Sequence, residues 1–231
     1  MKNKNYNILA IIFYLISLLI LLFCISIRLK PNVYLRTNFR LFLLFLVCVM
    51  IYISGYILVN KLKYSKNILK IHLVIYFLIY TVTIFTLTLF DEIYGRQGFT
   101  LINWNKELFN RYLNTSFNIV PFTTIRLFAK GYTMGIVSFK NFIMNVLGNF
   151  CAFMPYAIFL PLMFKKINRF RNFFLTMVFI VLAIELLQFA TMSGSCDIDD
   201  LVLNVMGASI VYLLTRIKCI NRFIHEFFLY E

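Results

Sequence analysis

The chain has 231 residues, of which 61% are hydrophobic and 14% charged, with 27 Phe and a formal net charge of +14. That is too apolar for a soluble domain of this size and indicates an all-α, polytopic integral membrane helix bundle. The positive charge does not imply nucleic acid as a partner, because Lys and Arg occur in short clusters between apolar runs, where membrane topology accounts for them.

The first apolar run covers residues 8–27, between Lys2 and Lys4 on one side and Arg28 and Lys30 on the other. It is longer than the core of a signal peptide and lacks a small-x-small cleavage site, so it reads as a first transmembrane helix. A second run spans residues 39–59 and a third 68–90, each long enough for a bilayer. Ser54 and Gly55 allow another helix to approach closely. His72 reads as a polar group near the interface rather than a ligand, and Thr81, Thr83, Thr86 and Thr88 are spaced to bond back to their own helix.

Between residues 91 and 140 the composition changes, with Trp104, Pro121 and several charged residues and no window apolar enough to span. This reads as a long extramembrane or interface-hugging segment with short amphipathic helices. Within it, Pro121 restricts Val120 to extended conformations, so Asn118-Ile119-Val120-Pro121-Phe122 marks a turn. Three more spans follow at 142–164, 173–191 and 201–215, for about six in all. Pro155 and Pro161 should kink the fourth, and Gly148 is a candidate for close helix contact.

Counting Lys and Arg on alternate sides places both termini in the cytoplasm and the loop at 192–200, which has neither residue, outside. The basic residues between the first two spans, Arg28, Lys30, Arg36 and Arg40, oppose this arrangement.

In that orientation three faces meet near the outer boundary. Asn145 and Asn149 are four apart, Glu185 and Gln188 three apart, and Asp197, Asp200, Asn204 and Gly207 recur at helical spacing, with Asp199 beside them. Helical rise places Asn145 and Asn149 about 5 to 10 Å, Glu185 about 10 Å and Asn204 about 5 Å below the boundary. Four carboxylates and several amides are therefore expected to converge in one outer-leaflet pocket. Such a set suits a divalent cation, Mg²⁺ or Ca²⁺, or acid–base chemistry. It equally suits amides bonding between helices and aspartates capping the last span. The five Cys form no CxxC pair, no HExxH occurs, and Cys196 in the acidic loop is the thiol whose exposure is worth testing.

Taken in order, Asn118 to Phe122, Asn145-Val146-Leu147-Gly148-Asn149-Phe150 with Phe153 and Pro155, Glu185 to Gln188, and Asp197-Ile198-Asp199-Asp200 with Asn204 and Gly207 resemble the VanZ-like family over residues 70–216. The resemblance implies a bacterial, multi-pass protein of the cytoplasmic membrane, with residues 1–66 as a two-helix extension and 67–231 as the family domain, including an extracytoplasmic loop at 91–140. The namesake accompanies glycopeptide resistance and lowers susceptibility to teicoplanin in Gram-positive bacteria. The resemblance also marks Asn118, Pro121, Phe122, Asn145, Asn149, Pro155, Glu185, Gln188, Asp197, Asp199, Asp200, Asn204 and Gly207 as functional positions. One departure stands out: family members often carry an Arg shortly before the acidic run, and Ser193-Gly194-Ser195-Cys196 supplies none. Another cation, Arg111, Arg126 or a metal, is then expected to face the carboxylates.

Three functions fit this reading. The first is a cell-envelope protein whose partners, besides the bilayer, are envelope lipids or glycopeptide-related ligands. The second is an intramembrane enzyme on lipid or polyprenyl head groups, with Glu185 and Asp200 as acid and base or metal ligands. The third is an ion-coupled transporter.

Overall fold

In a computed structural model, residues 2–28, 35–90 and 105–229 are described. Lys30 and Trp104, named from the sequence, lie outside them. The chain divides into two compact units, Met1–Thr81 with Glu226–Glu231, and Val82–His225.

The first unit contains α1 (Lys2–Arg28), α2 (Thr37–Tyr56), which runs on into a π-helical turn at Ile57–Lys61, and the first part of α3 (Asn67–Leu89). Lipid tails are as apolar as Leu, so helices in a membrane associate through small residues and hydrogen bonds. α1 meets α2 in this way: Ala10 and Ser54 are fully or almost fully buried, and the Ser54 hydroxyl donates to the Ala10 carbonyl at 3.3 Å. Gly55 lets His72 approach, since a Cβ there would lie 2.7 Å from the imidazole. His72 is buried and bonded to the Tyr14 hydroxyl at 2.7 Å. In the part of α3 that belongs to the second unit, Thr86 and Thr88 bond back to Thr83 and Ile84 carbonyls, as their spacing predicts.

The second unit carries the candidate site. Its elements are α4 (Lys106–Thr115), β1 (Phe117–Asn118), α5 (Thr123–Thr133), α6 (Phe139–Ala152), α7 (Tyr156–Met163), α8 (Phe170–Thr191), β2 (Cys196–Asp197), α9 (Ile198–Leu214) and the start of α10 (Lys218–Leu229). Asn105 caps α4 and Ser138 caps α6, their side-chain oxygens accepting from Leu108 and Asn141 N–H groups. The expected short helices of the long loop are α4 and α5. Pro155 lies at the break between α6 and α7, so the fourth span is one apolar stretch, Phe139–Met163, built of two helices.

Among the described residues five helical stretches are long and apolar enough to cross a membrane. A sixth is reached only by joining α9 to α10 across a 95° bend, because α9 alone has 17 residues. The six expected spans are thus five plus a short, bent one. Their outward faces are apolar, as in Leu19, Phe45, Val82 and Phe179, which suits contact with lipid. The start of α8 and the end of α9 lock together where Phe173 stacks on Tyr212 at 4.4 Å, and the Tyr212 hydroxyl donates to the Asn168 carbonyl at 2.5 Å.

Candidate functional site

The site is organised by a pairing that nothing in the hydrophobic pattern announces. β1 and β2 are two residues each and pair in parallel, Phe117 with Cys196 and Asn118 with Asp197. α8 ends at Met192 in a left-handed conformation, and Gly194, at φ 128°, supplies backbone freedom for the turn into β2. The ladder therefore delivers the acidic run to the mouth of the long loop.

Each carboxylate then finds its own partners. The Asp197 carboxylate caps α9 by accepting from the Asp199 N–H at 2.9 Å, and the same oxygen accepts from the Asn118 amide at 2.9 Å. The Asp197 N–H in turn donates to Glu185 at 2.9 Å. Asp199 does not cap its own helix. One of its oxygens accepts from the Phe122 N–H and the other from the Thr124 and Ile125 N–H groups, at 2.9 and 3.1 Å. It is thus the anion at the start of α5, where unpaired N–H groups and the helix dipole favour negative charge. Pro121 and Phe122 shape that start: a turn closes from the Thr123 N–H to the Val120 carbonyl, and Phe122 sits at φ 65°. For Asp199 the partners are backbone N–H groups at the start of α5, rather than the Arg111 or Arg126 side chain or the metal that was expected.

Asp200 faces α6 and accepts from the Asn149 amide. Asn204, one turn on, donates to the Asp200 backbone carbonyl at 2.7 Å, leaving its own oxygen buried without a donor among the described residues. Gly207 completes this face with no polar role: a Cβ there would lie 1.8 Å from the Phe150 carbonyl oxygen, so α6 and α9 meet backbone to backbone at this crossing. Gly148 does the reverse of what its sequence context predicts, for a Cβ there meets nothing within 4 Å.

Beside Asp200 opens a cavity of about 770 Å³, whose lining includes Arg111, Asn145, Gly148, Asn149 and Asp200. The expectation of four carboxylates in one pocket is therefore corrected: among them only Asp200 lines it. Glu185, Asp197 and Asp199 are buried and do not line it, and N–H groups bonded to their carboxylates offset part of the cost of burying them. Gln188 is also off the cavity, its amide donating to the Thr88 carbonyl at 2.9 Å. Pro155 lies at the start of α7, away from these contacts. Among the described residues no three His, Cys, Asp or Glu side chains are grouped to hold a metal ion.

Cys196 lies in the ladder, half-buried. Burial first, and then the neighbouring Glu185, Asp197 and Asp200 charges, push its thiol up to about 11. The strands, the Thr124 and Ile125 amides and the opening at Gly148 are not visible in periodicity. Only the pairing of Pro121 with a turn hinted at the first of them.

Comparison with known families supplies the name for this arrangement. Neither curated proteins nor solved structures gave a match. The model of the VanZ/LLP1 family matches residues 77–219, which span α4 to α9 and every residue of the acidic and amide cluster. That stretch is more than half of the chain, and this multi-pass membrane protein belongs to the VanZ/LLP1 family.

Proposed function

We propose that this chain works at the outer face of a bacterial cytoplasmic membrane, with both termini inside, and lowers susceptibility to teicoplanin-type glycopeptides by altering either their access or the state of envelope lipids. The single observation that carries this reading is the cavity beside Asp200, whose lining includes Arg111, Asn145, Asn149 and Asp200. A concave site with a few convergent polar groups is the form that recognition of an amphipathic molecule takes. The absence of Lys and Arg from residues 192–200 favours the outside location for the acidic loop.

The intramembrane enzyme reading has weaker support, because Glu185, its second carboxylate, bonds to the Asp197 N–H and is not on the cavity wall. The test is teicoplanin susceptibility, together with binding of a fluorescent glycopeptide, in a Gram-positive host expressing the wild type or Asp200→Asn at matched membrane levels. A wild-type protective effect lost in the variant is expected. An inert wild type sinks the resistance reading.

A further inference from the structure

We infer that α5 is an anchor lying in the head-group layer of an anionic lipid leaflet: the turns at its two ends insert Ile119 and Val120, and Met134 and Ile136, while Arg126, Lys130 and Lys140 meet lipid phosphates. This is independent of the cavity and of the resistance reading.

The helix itself gives the first indication. α5 is amphipathic, with Ile125, Phe128, Ala129 and Tyr132 at positions i, i+3, i+4 and i+7, yet none of its residues is buried. At its ends the chain is more apolar still. Ile119 is 67% exposed and Val120 61% before it; after it Met134 is 60% exposed and Ile136 78%. Ile136 is therefore more open than Phe179, at 74%, on the apolar outer face of the α8 span. Surface of this kind in water is costly and marks a contact site.

Both turns are held in shape. Beyond α5, Gly135 is left-handed at φ 71°, and the Ile136 and Val137 N–H groups donate to the Gly131 carbonyl at 2.9 and 3.0 Å. Val137 packs on Gly131, where a Cβ would lie 2.6 Å from it, so the turn holds Val137 in and leaves Ile136 out. Before α5, the Val120 N–H donates to the Asn118 side chain at 3.0 Å, and the Val120 carbonyl accepts from Thr123.

Their place in the chain brings these turns to a membrane boundary. Phe139 opens the apolar stretch Phe139–Met163, which is long enough to cross a bilayer. Ile136 lies three residues earlier, within about 10 Å even of an extended chain. The 11 residues of α5 span about 16 Å, and its amino end is bonded to Asp199 in the first turn of α9. Tyr132, half exposed with its ring against Phe139 and Phe142, is the kind of amphipathic side chain that favours the interface.

Charge selects the lipid. Arg126, Lys130 and Lys140 are exposed, and their side chains make no ion pair with a described residue. No Asp or Glu occurs from residue 108 to 184, and Asp197 and Asp199 nearby are buried. Cations interleaved with exposed apolar side chains suit anionic head groups above acyl chains. A second copy of this surface would bring like charge and be repelled.

The experiment uses the full chain in phosphatidylcholine vesicles. Trp104→Phe removes its one Trp, and Val120→Trp or Ile136→Trp then supplies a single reporter at either turn. Both replaced side chains are exposed, and a thermal midpoint in detergent verifies each variant; either reporter suffices alone. Each reporter should be quenched more by lipid brominated near the head group than by lipid brominated at the chain ends, and little by acrylamide. At one mole fraction, brominated phosphatidylglycerol should quench at least about twofold more than brominated phosphatidylcholine, since each cation near an anionic surface favours it by about fivefold. Joint replacement of Arg126, Lys130 and Lys140 by Gln should remove that excess and keep the depth. Quenching by acrylamide alone would place the turns in water and overturn the anchor. Shielding from both quenchers would show a protein cover, a second copy included, and overturn it equally. Equal quenching by the two brominated lipids would overturn the anionic assignment.

Discussion

Gly207 and Phe150 stand backbone to backbone: a methyl group on the glycine would lie 1.8 Å from the phenylalanine carbonyl oxygen. That contact sets the spacing of α6 and α9, and with it the reach of Asn149 to Asp200. Gly207→Ala has to push the two helices apart, so it should destabilise the protein by about 1 to 3 kcal/mol or more, as overpacking does. Gly148→Ala is the matched control. Its Cβ is unobstructed and alanine favours helix, so it should be neutral or stabilising by up to about 1 kcal/mol. Thermal unfolding in detergent measures both, and equal effects would refute the account of the crossing.

Asp199 should behave as the cap of a helix far from it in sequence. Removing its carboxylate leaves the Phe122, Thr124 and Ile125 N–H groups without their acceptor. Asp199→Ala should cost about 2 to 3 kcal/mol, in line with charged hydrogen bonds lost in a buried setting. Hydrogen exchange should quicken at residues 122–125 before it does within α9. Unchanged protection at those amides would rule out the cap.

Phe122 holds a left-handed backbone conformation at φ 65°, which favours glycine over every other residue. Its side chain is exposed, so little packing is at stake. Phe122→Gly should be neutral or stabilising by about 1 kcal/mol, and Phe122→Val destabilising by a similar amount or more, because a β-branched residue tolerates this region worst. Calorimetry of the two variants side by side distinguishes them, and a more stable valine variant would contradict the geometry.

The thiol of Cys196 is pushed up to about 11 by burial and then by Glu185, Asp197 and Asp200, so below that pH it is neutral. Alkylation requires the thiolate, and at pH 8 its rate should be about a hundredfold below that of an ordinary thiol, rising as pH approaches 11. Cys219, which is exposed, serves as the internal reference. The folded value lies above the unfolded one, so the stability this thiol contributes is complete below about pH 9 and is lost as pH rises through 11. Glu185→Gln removes one of the neighbouring charges and should speed alkylation. A rate at Cys196 equal to that at Cys219 throughout would show that the site does not hold the thiol neutral.

The helices and the face shared by Asp200, Asn204 and Gly207 were legible because apolar runs and a period of 3.6 are local properties. The partnership of Asn149 with Asp200 was legible too, from two faces at one depth. What escaped the sequence was the division of labour among the carboxylates. Periodicity shows which side of a helix Asp199 occupies, but not that the amino end of α5 will come to meet it. Asp197 and Glu185 were expected on an open pocket and are instead joined through a backbone N–H, because a two-residue parallel ladder lacks the length to leave an alternating pattern. Gly148 lines the cavity with open space before it, and an absent side chain gives no signal until its surroundings are known.

That ladder also imposes an order on biosynthesis. The strand at Phe117–Asn118 and the first turn of α5 leave the ribosome well before Cys196 to Asp199 exist to pair with them. At ordinary elongation rates the interval is on the order of several seconds, during which the amides of Phe122, Thr124 and Ile125 have only water or head groups to bond. A nascent chain stalled before Asp197 should therefore be nicked by protease near residues 117–125, and one stalled well past α9 should resist. α9 closes the site, so a product terminated before it carries the five long apolar stretches and lacks the finished pocket.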